Sequence, residues 1–153
     1  SGVGKSPKDI EYAILENILL FNVESESELF VINEISKKLG KITSIAIRVN
    51  PDVSPNTHPY ISTGLKENKF GISINDSLEL HKKITEFKNI RVIGVDFHIG
   101  SQITEVKPYI DSLIKIENYI EEICLEEDTS WFYLPLIFIT LAMLAPAVLQ
   151  LFS

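Results

Sequence analysis

A few residues of this chain have side chains that could do chemistry where they stand. His98 and Ser101 lie in the string HIGSQ (98–102), directly after an apolar run. An imidazole at such a point can lie flat on an aromatic ring, and a hydroxyl beside a backbone N–H can bind phosphate. The alternative is a histidine satisfied by a neighbouring carbonyl and a serine that caps the next helix. Arg48 is one of only two arginines and comes near the end of an isoleucine-rich run. A guanidinium there can clamp a carboxylate or phosphate, against the alternative of a surface ion pair worth little. His58 and Tyr60 belong to a long polar loop that leads to Lys69. His81, beside Lys82 and Lys83, reads as solvated, and Cys124 as an idle or buried thiol. The opening string GVGKS could end a phosphate-binding loop, but the glycine five positions before Gly4 would fall outside the chain. No Asn-Lys-x-Asp string follows it, so a loop before a capped helix is the reading kept.

Helices and strands must alternate to position these residues. Ser6 caps a helix with Pro7 at its first position and Asp9 in its first turn, running to about Asn17. Ile18 to Glu24 has the length of a strand. Ser25 and Glu28 form a capping box, and Leu29, Ile32, Ile35 and Leu39 recur at helical spacing until Gly40. Ile42 to Val49 is a second strand. A polar loop from Pro51 to about Asn68 leads to an extended Lys69-Phe70-Gly71-Ile72. Asn75 or Asp76 caps a helix to about Phe87, with Leu78, Leu80 and Ile84 inward. Ile90 to Phe97 is a third strand, and a helix from Glu105 to about Glu126 carries Tyr109, Leu113, Ile116, Tyr119 and Ile123 on one stripe. Apolar strands separated by helices call for a parallel sheet, whose functional groups gather beyond the carboxyl ends of the strands. Asn22 to Ser25, Arg48 to Pro51 and His98 to Gln102 all occupy that position.

The charge balance is 14 Lys and Arg against 21 Asp and Glu, net -7, which disfavours a nucleic-acid backbone as partner. One cysteine excludes an intramolecular disulfide framework and a cysteine zinc cage, and no metal site is expected. Every charged residue lies between Lys5 and Asp128, and Thr129 to Ser153 has none. At ordinary usage a stretch of that length holds roughly six charges, so the chain divides into residues 1–128 and an uncharged tail, 129–153. Residues 131–152 would span about 33 Å as a helix, enough for a bilayer core, with Trp131 and Tyr133 where an interfacial belt would lie. A membrane anchor and a frame-shifted or spliced end both fit this tail.

The strings FNVESESEL (21–29), RVNPDV (48–53), THPYISTGLKENKFGI (57–72) and DFHIGSQI (96–103) resemble the diaminopimelate decarboxylases. The resemblance covers about residues 1–123, with GVGKS at the turn after an earlier barrel strand. It implies an α/β fold: a partial (β/α)8 TIM barrel of about three parallel strands with flanking helices, followed by the apolar tail. It implies pyridoxal 5'-phosphate as cofactor and decarboxylation of meso-diaminopimelate to L-lysine, in the cytoplasm or a plastid stroma, by a homodimer. By position, His98 resembles the histidine that stacks on the pyridine ring, Ser101 a serine on the cofactor phosphate, and Arg48 an arginine near the cofactor. His58, Tyr60 and Lys69 fall in what resembles the active-site loop. No residue matches the family's Schiff-base lysine, its glycine-rich phosphate loop or its cysteine-bearing motif, so no catalytic residue is assigned and the chain alone is expected to be inactive. Three strands cannot close a barrel, leaving sheet edges uncovered. The alternative is a non-catalytic, membrane-anchored remnant or partner-binding protein.

Overall fold

The computed structural model describes residues 1–53, 70–100 and 105–126. Ser101, His58, Tyr60, Lys69 and the 129–153 tail lie outside the described residues. Helix α1 spans Pro7–Leu15, strand β1 Phe21–Val23, helix α2 Glu26–Leu39 and strand β2 Thr43–Asn50. Strand β3 is Ile72–Ser73, helix α3 Ile74–Ile84, strand β4 Ile90–Asp96 and helix α4 Lys107–Glu126.

Local chemistry sets most of these boundaries. The Ser6 hydroxyl accepts from the Asp9 N–H at 3.3 Å, and the Asp9 carboxylate accepts from the Ser6 N–H at 3.1 Å, a closed capping box. That exposed pairing holds the Asp9 carboxyl below its ordinary value, chiefly through the Ser6 hydroxyl. Ser25 receives the Glu28 N–H, but the Glu28 carboxylate reaches back one residue further, to the Glu24 N–H at 2.9 Å. Gly40, at φ 63, ends α2 in the left-handed conformation that a side chain disfavours.

Strand β1 is shorter than the apolar run that contains it. The Ile18 N–H returns to the Ala13 carbonyl at 3.3 Å, so the run's first residues finish α1, and Ile18 and Leu19 stay exposed. The cap of α3 is Ser73 rather than Asn75 or Asp76, because Asp76 serves instead as the partner of the Ser73 hydroxyl at 2.6 Å.

All pairing among the described strands is parallel, with β2 at the centre. Phe21–Val23 lies beside Ile45–Ile47, and Thr43 to Arg48 runs beside Ile90 to Asp96. Between Ile45↔Val92 and Ala46↔Gly94 the register slips by one, leaving Ile93 as the extra residue. The short β3, at the end of the extended Lys69-Phe70-Gly71-Ile72 piece, adds a fourth strand, pairing Val49↔Ile72 and Asn50↔Ser73. Ile45, Ala46 and Ile47 are fully buried, as a strand covered on both faces requires.

Ile10, Ile14, Leu29, Ile32, Leu80 and Ile84 pack from the helices onto this sheet. Two sequence expectations fail here. The buried stripe of α4 uses Ser112, Ile116, Tyr119 and Ile123, while Leu113 is exposed; Ser112 fits the core by bonding the Pro108 carbonyl at 2.8 Å. His81 is buried, because Ser77, Leu80, His81 and Ile84 share the inward face while Lys82 and Lys83 turn outward. Among the described residues no helix is long and apolar enough to cross a membrane.

Candidate functional site

Parallel pairing brings the carboxyl ends of β1, β2 and β4 to one rim, and a closed circuit of polar contacts occupies it. Lys5, in the turn before α1, donates to the Gly2 carbonyl at 2.6 Å and the Asn22 carbonyl at 2.8 Å, and pairs with Glu28 at 2.5 Å. The other Glu28 oxygen accepts from the Glu24 backbone. Both Glu24 oxygens bind Arg48 Nη1, at 2.8 and 2.7 Å, and the Gly2 N–H adds a contact at 3.2 Å. Arg48 Nε faces Asp96 Oδ2 at 3.9 Å, and that oxygen accepts from the Asn22 amide at 3.0 Å. The Asn22 carbonyl, already bonded to Lys5, closes the loop.

The groups in this circuit are largely withdrawn from water. The side chains of Glu24 and Asp96 are 5% and 4% exposed, and that of Arg48 12%. Charges so placed persist only when paired, and two cations here meet three carboxylates. Two carbonyl hydrogen bonds and the Glu28 ion pair already engage the Lys5 ammonium, so it is not free for a phosphate, and the GVGKS string acts as a tether. Just past β2, Lys115 of α4 donates to the carbonyls of Pro51 and Asp52 at 2.9 and 3.2 Å, fixing the strand's exit.

Of the residues singled out in the sequence, Arg48 and His98 share this rim. Arg48 stands opposite Asp96 in the β2–β4 register, and His98 follows two residues later, exposed. Gly100 takes φ 130, a conformation that disfavours any side chain and leaves bare backbone at the turn. Arg48 is nevertheless not a free cation. Its charge is committed to Glu24, so it orients neighbours rather than offering itself to an anion. Ser101, His58, Tyr60 and Lys69 are outside the described residues.

Several members of the circuit carried no separate assignment in the sequence. Asn22 and Glu24 lie in a segment already placed at the rim, but Lys5, Glu28 and Asp96 could be recognised only as neighbours in space. Phe70 is another: its ring centroid lies 5.7 Å from the Arg48 guanidinium carbon.

Comparison with known proteins gives this rim a context. The model of the family described as pyridoxal-dependent decarboxylase, pyridoxal binding domain, matches residues 1–128. A diaminopimelate decarboxylase of Haemophilus influenzae is 51% identical over 128 residues, covering 84% of this chain and 30% of that protein. The solved diaminopimelate decarboxylase of Helicobacter pylori, complexed with L-lysine, superposes with a TM-score of 0.75 at 42% identity, over 82% of this chain and 32% of that one. An alanine racemase of Clostridium difficile, 14% identical over 80% of this chain and 28% of that one, shares the fold with a TM-score of 0.61. The chain thus spans about a third of the length of the relatives it matches, and its strands and helices form a partial α/β barrel. It belongs to the pyridoxal-dependent decarboxylases, as a portion of their pyridoxal binding domain.

Proposed function

We infer that this chain forms part of the cofactor pocket of a diaminopimelate decarboxylase, with pyridoxal 5'-phosphate as cofactor and meso-diaminopimelate as substrate. The observation that carries the reading is the shared rim: Arg48 locked by Glu24 beside β4, and an exposed His98 two residues past Asp96. The rim suits a phosphorylated pyridine. The exposed imidazole is available to a ring face, and each nearby carboxylate of the circuit is engaged by a cation, an amide or a backbone N–H.

When bound, pyridoxal phosphate supplies the electron sink that makes loss of carbon dioxide possible. The chain's own residues do simpler work. His98 would hold the ring by its face. Glu24 clamps the Arg48 guanidinium, and Lys5 with Glu28 anchors Glu24 in turn. Ser101, carried over by position in the DFHIGSQI string, contacts the phosphate.

No residue here matches the family's Schiff-base lysine, and Lys5 is committed elsewhere, so the 153-residue chain alone binds the cofactor without turnover. A homodimer and a cytoplasmic location belong to the same reading. Equilibrium dialysis of the chain against pyridoxal phosphate tests it. Binding that weakens in His98→Ala is the expected result. No binding at millimolar cofactor refutes the pocket, and a borohydride-trapped lysine adduct with turnover refutes the inactivity.

A further inference from the structure

We propose that Phe70, seated by Gly71, is a positioning residue that holds the Arg48 guanidinium away from Asp96. The inference rests on the cofactor-pocket reading only for its consequence at the cofactor; the geometry stands without it.

Phe70 is 61% exposed, an unfavourable place for a phenyl ring unless it has a partner there. Its partner is a cation, the guanidinium carbon lying 5.7 Å from the ring centroid. The adjacent backbone shows that this placement is built. Gly71 has φ +92, and a Cβ added there would come within 2.9 Å of the Arg48 carbonyl oxygen and 3.3 Å of the Asn50 nitrogen. Only glycine lets the chain press this closely on β2 at Arg48. The pairing Val49↔Ile72 follows immediately and fixes the direction in which residue 70 projects. Strand, glycine and ring thus form one rigid approach to a single side chain.

The guanidinium needs such support because its hydrogen bonds hold it unevenly. Nη1 is clamped by both oxygens of Glu24. Nε is buried without a hydrogen-bond acceptor among the described residues, and the Asp96 oxygen it faces is 3.9 Å away. A small rotation about the Glu24 clamp would close that gap to a direct bond and draw Arg48 down toward β4. A ring on the guanidinium face opposes the rotation. Phe70 accordingly keeps Arg48 at the height the rim requires.

The test compares Phe70→Leu and Phe70→Met, which retain apolar bulk but lose the ring face, with Phe70→Tyr, which keeps it. The first readout is the Arg48 Nε–H resonance of the 15N-labelled chain, which a nearby ring shifts upfield. In the aliphatic variants the proton moves downfield, losing the ring current and gaining an acceptor, while Phe70→Tyr retains the wild-type position. The second readout is the dissociation constant for pyridoxal phosphate, expected to rise about two- to fivefold in the aliphatic variants and to recover in Phe70→Tyr. An Arg48 proton that does not move in the two aliphatic variants, or a tyrosine variant that behaves like leucine, overturns the proposal. If the wild-type chain binds no cofactor while the resonance pattern holds, the cofactor-pocket reading falls and the positioning role of Phe70 is upheld.

Discussion

Arg48→Met is the sharpest test of the rim, because it removes the charge and keeps the length of the side chain. In the wild type Glu24 is 5% exposed and receives both of its guanidinium contacts from Nη1. After substitution its only remaining side-chain contact in the circuit is the Gly2 N–H at 3.2 Å. Breaking one partner out of a buried pair costs about 3–5 kcal/mol. The surviving Gly2 contact and the slight exposure of Arg48 place this case at the lower end, about 3 kcal/mol. At roughly 4 °C per kcal/mol for a domain of this size, the thermal midpoint should fall by about 12 °C. Circular dichroism melts and urea titrations at pH 7 measure the loss. Adding Glu24→Gln removes the stranded carboxylate, so the double variant should recover at least half of it, by the coupling expected of residues in direct contact. A single-variant loss below about 1 kcal/mol, or strictly additive effects of the two changes, would refute the circuit as the organiser of the rim.

Three further outcomes follow from contacts elsewhere. Burial pushes the Tyr119 phenol up from its ordinary value, with Ser77 offsetting it slightly. The folded protein therefore keeps a proton that the unfolded chain releases near pH 10, and stability intact below that pH declines as pH rises above it. Tyr119→Phe should move the alkaline unfolding midpoint upward, as fluorescence-monitored titration would show; an unchanged midpoint would contradict the assignment. Gly71→Ala places a Cβ 2.9 Å from a backbone oxygen at φ +92, and should cost about 2 kcal/mol in urea titrations. Thr43→Val removes the 2.6 Å hydroxyl contact to Ser36 but leaves Ser36 bonded to the Ile32 carbonyl at 2.7 Å, so a loss of about 1 kcal/mol is expected, and one above about 3 would show the pair matters more than its geometry allows.

What the sequence revealed follows from how far each determinant acts. The caps at Ser6 and Ser25 depend on side chains three residues from the backbone groups they serve, and the stop at Gly40 on that residue's own backbone freedom, so all three were legible. Alternating apolar runs and helical stripes disclosed a parallel α/β arrangement for the same reason. Errors arose where tertiary contacts outweighed local pattern. Ser112 took a core place that composition assigned to Leu113, since its hydroxyl is satisfied within its own helix. His81 is buried although its neighbours are lysines, because the face of α3 decides and not the local charge. The strand pattern located Arg48 and His98 at the rim, but the partners of Arg48 were not visible. Glu24 lies 24 residues away, and the Asn22–Asp96 bond joins residues separated by 74. No short-range pattern encodes such pairs.

The circuit also separates two roles that the sequence left merged. A lone arginine at the end of a barrel strand invites assignment to a phosphate, but a guanidinium clamped at 2.7 and 2.8 Å by a nearly buried carboxylate has little field left to offer. The circuit residues named above all fall at or before position 96, within this arc of the barrel. An isolated chain that preserves the Arg48–Glu24 coupling energy while lacking turnover would separate the two functions of the pocket, with orientation built into these strands and covalent chemistry supplied by others.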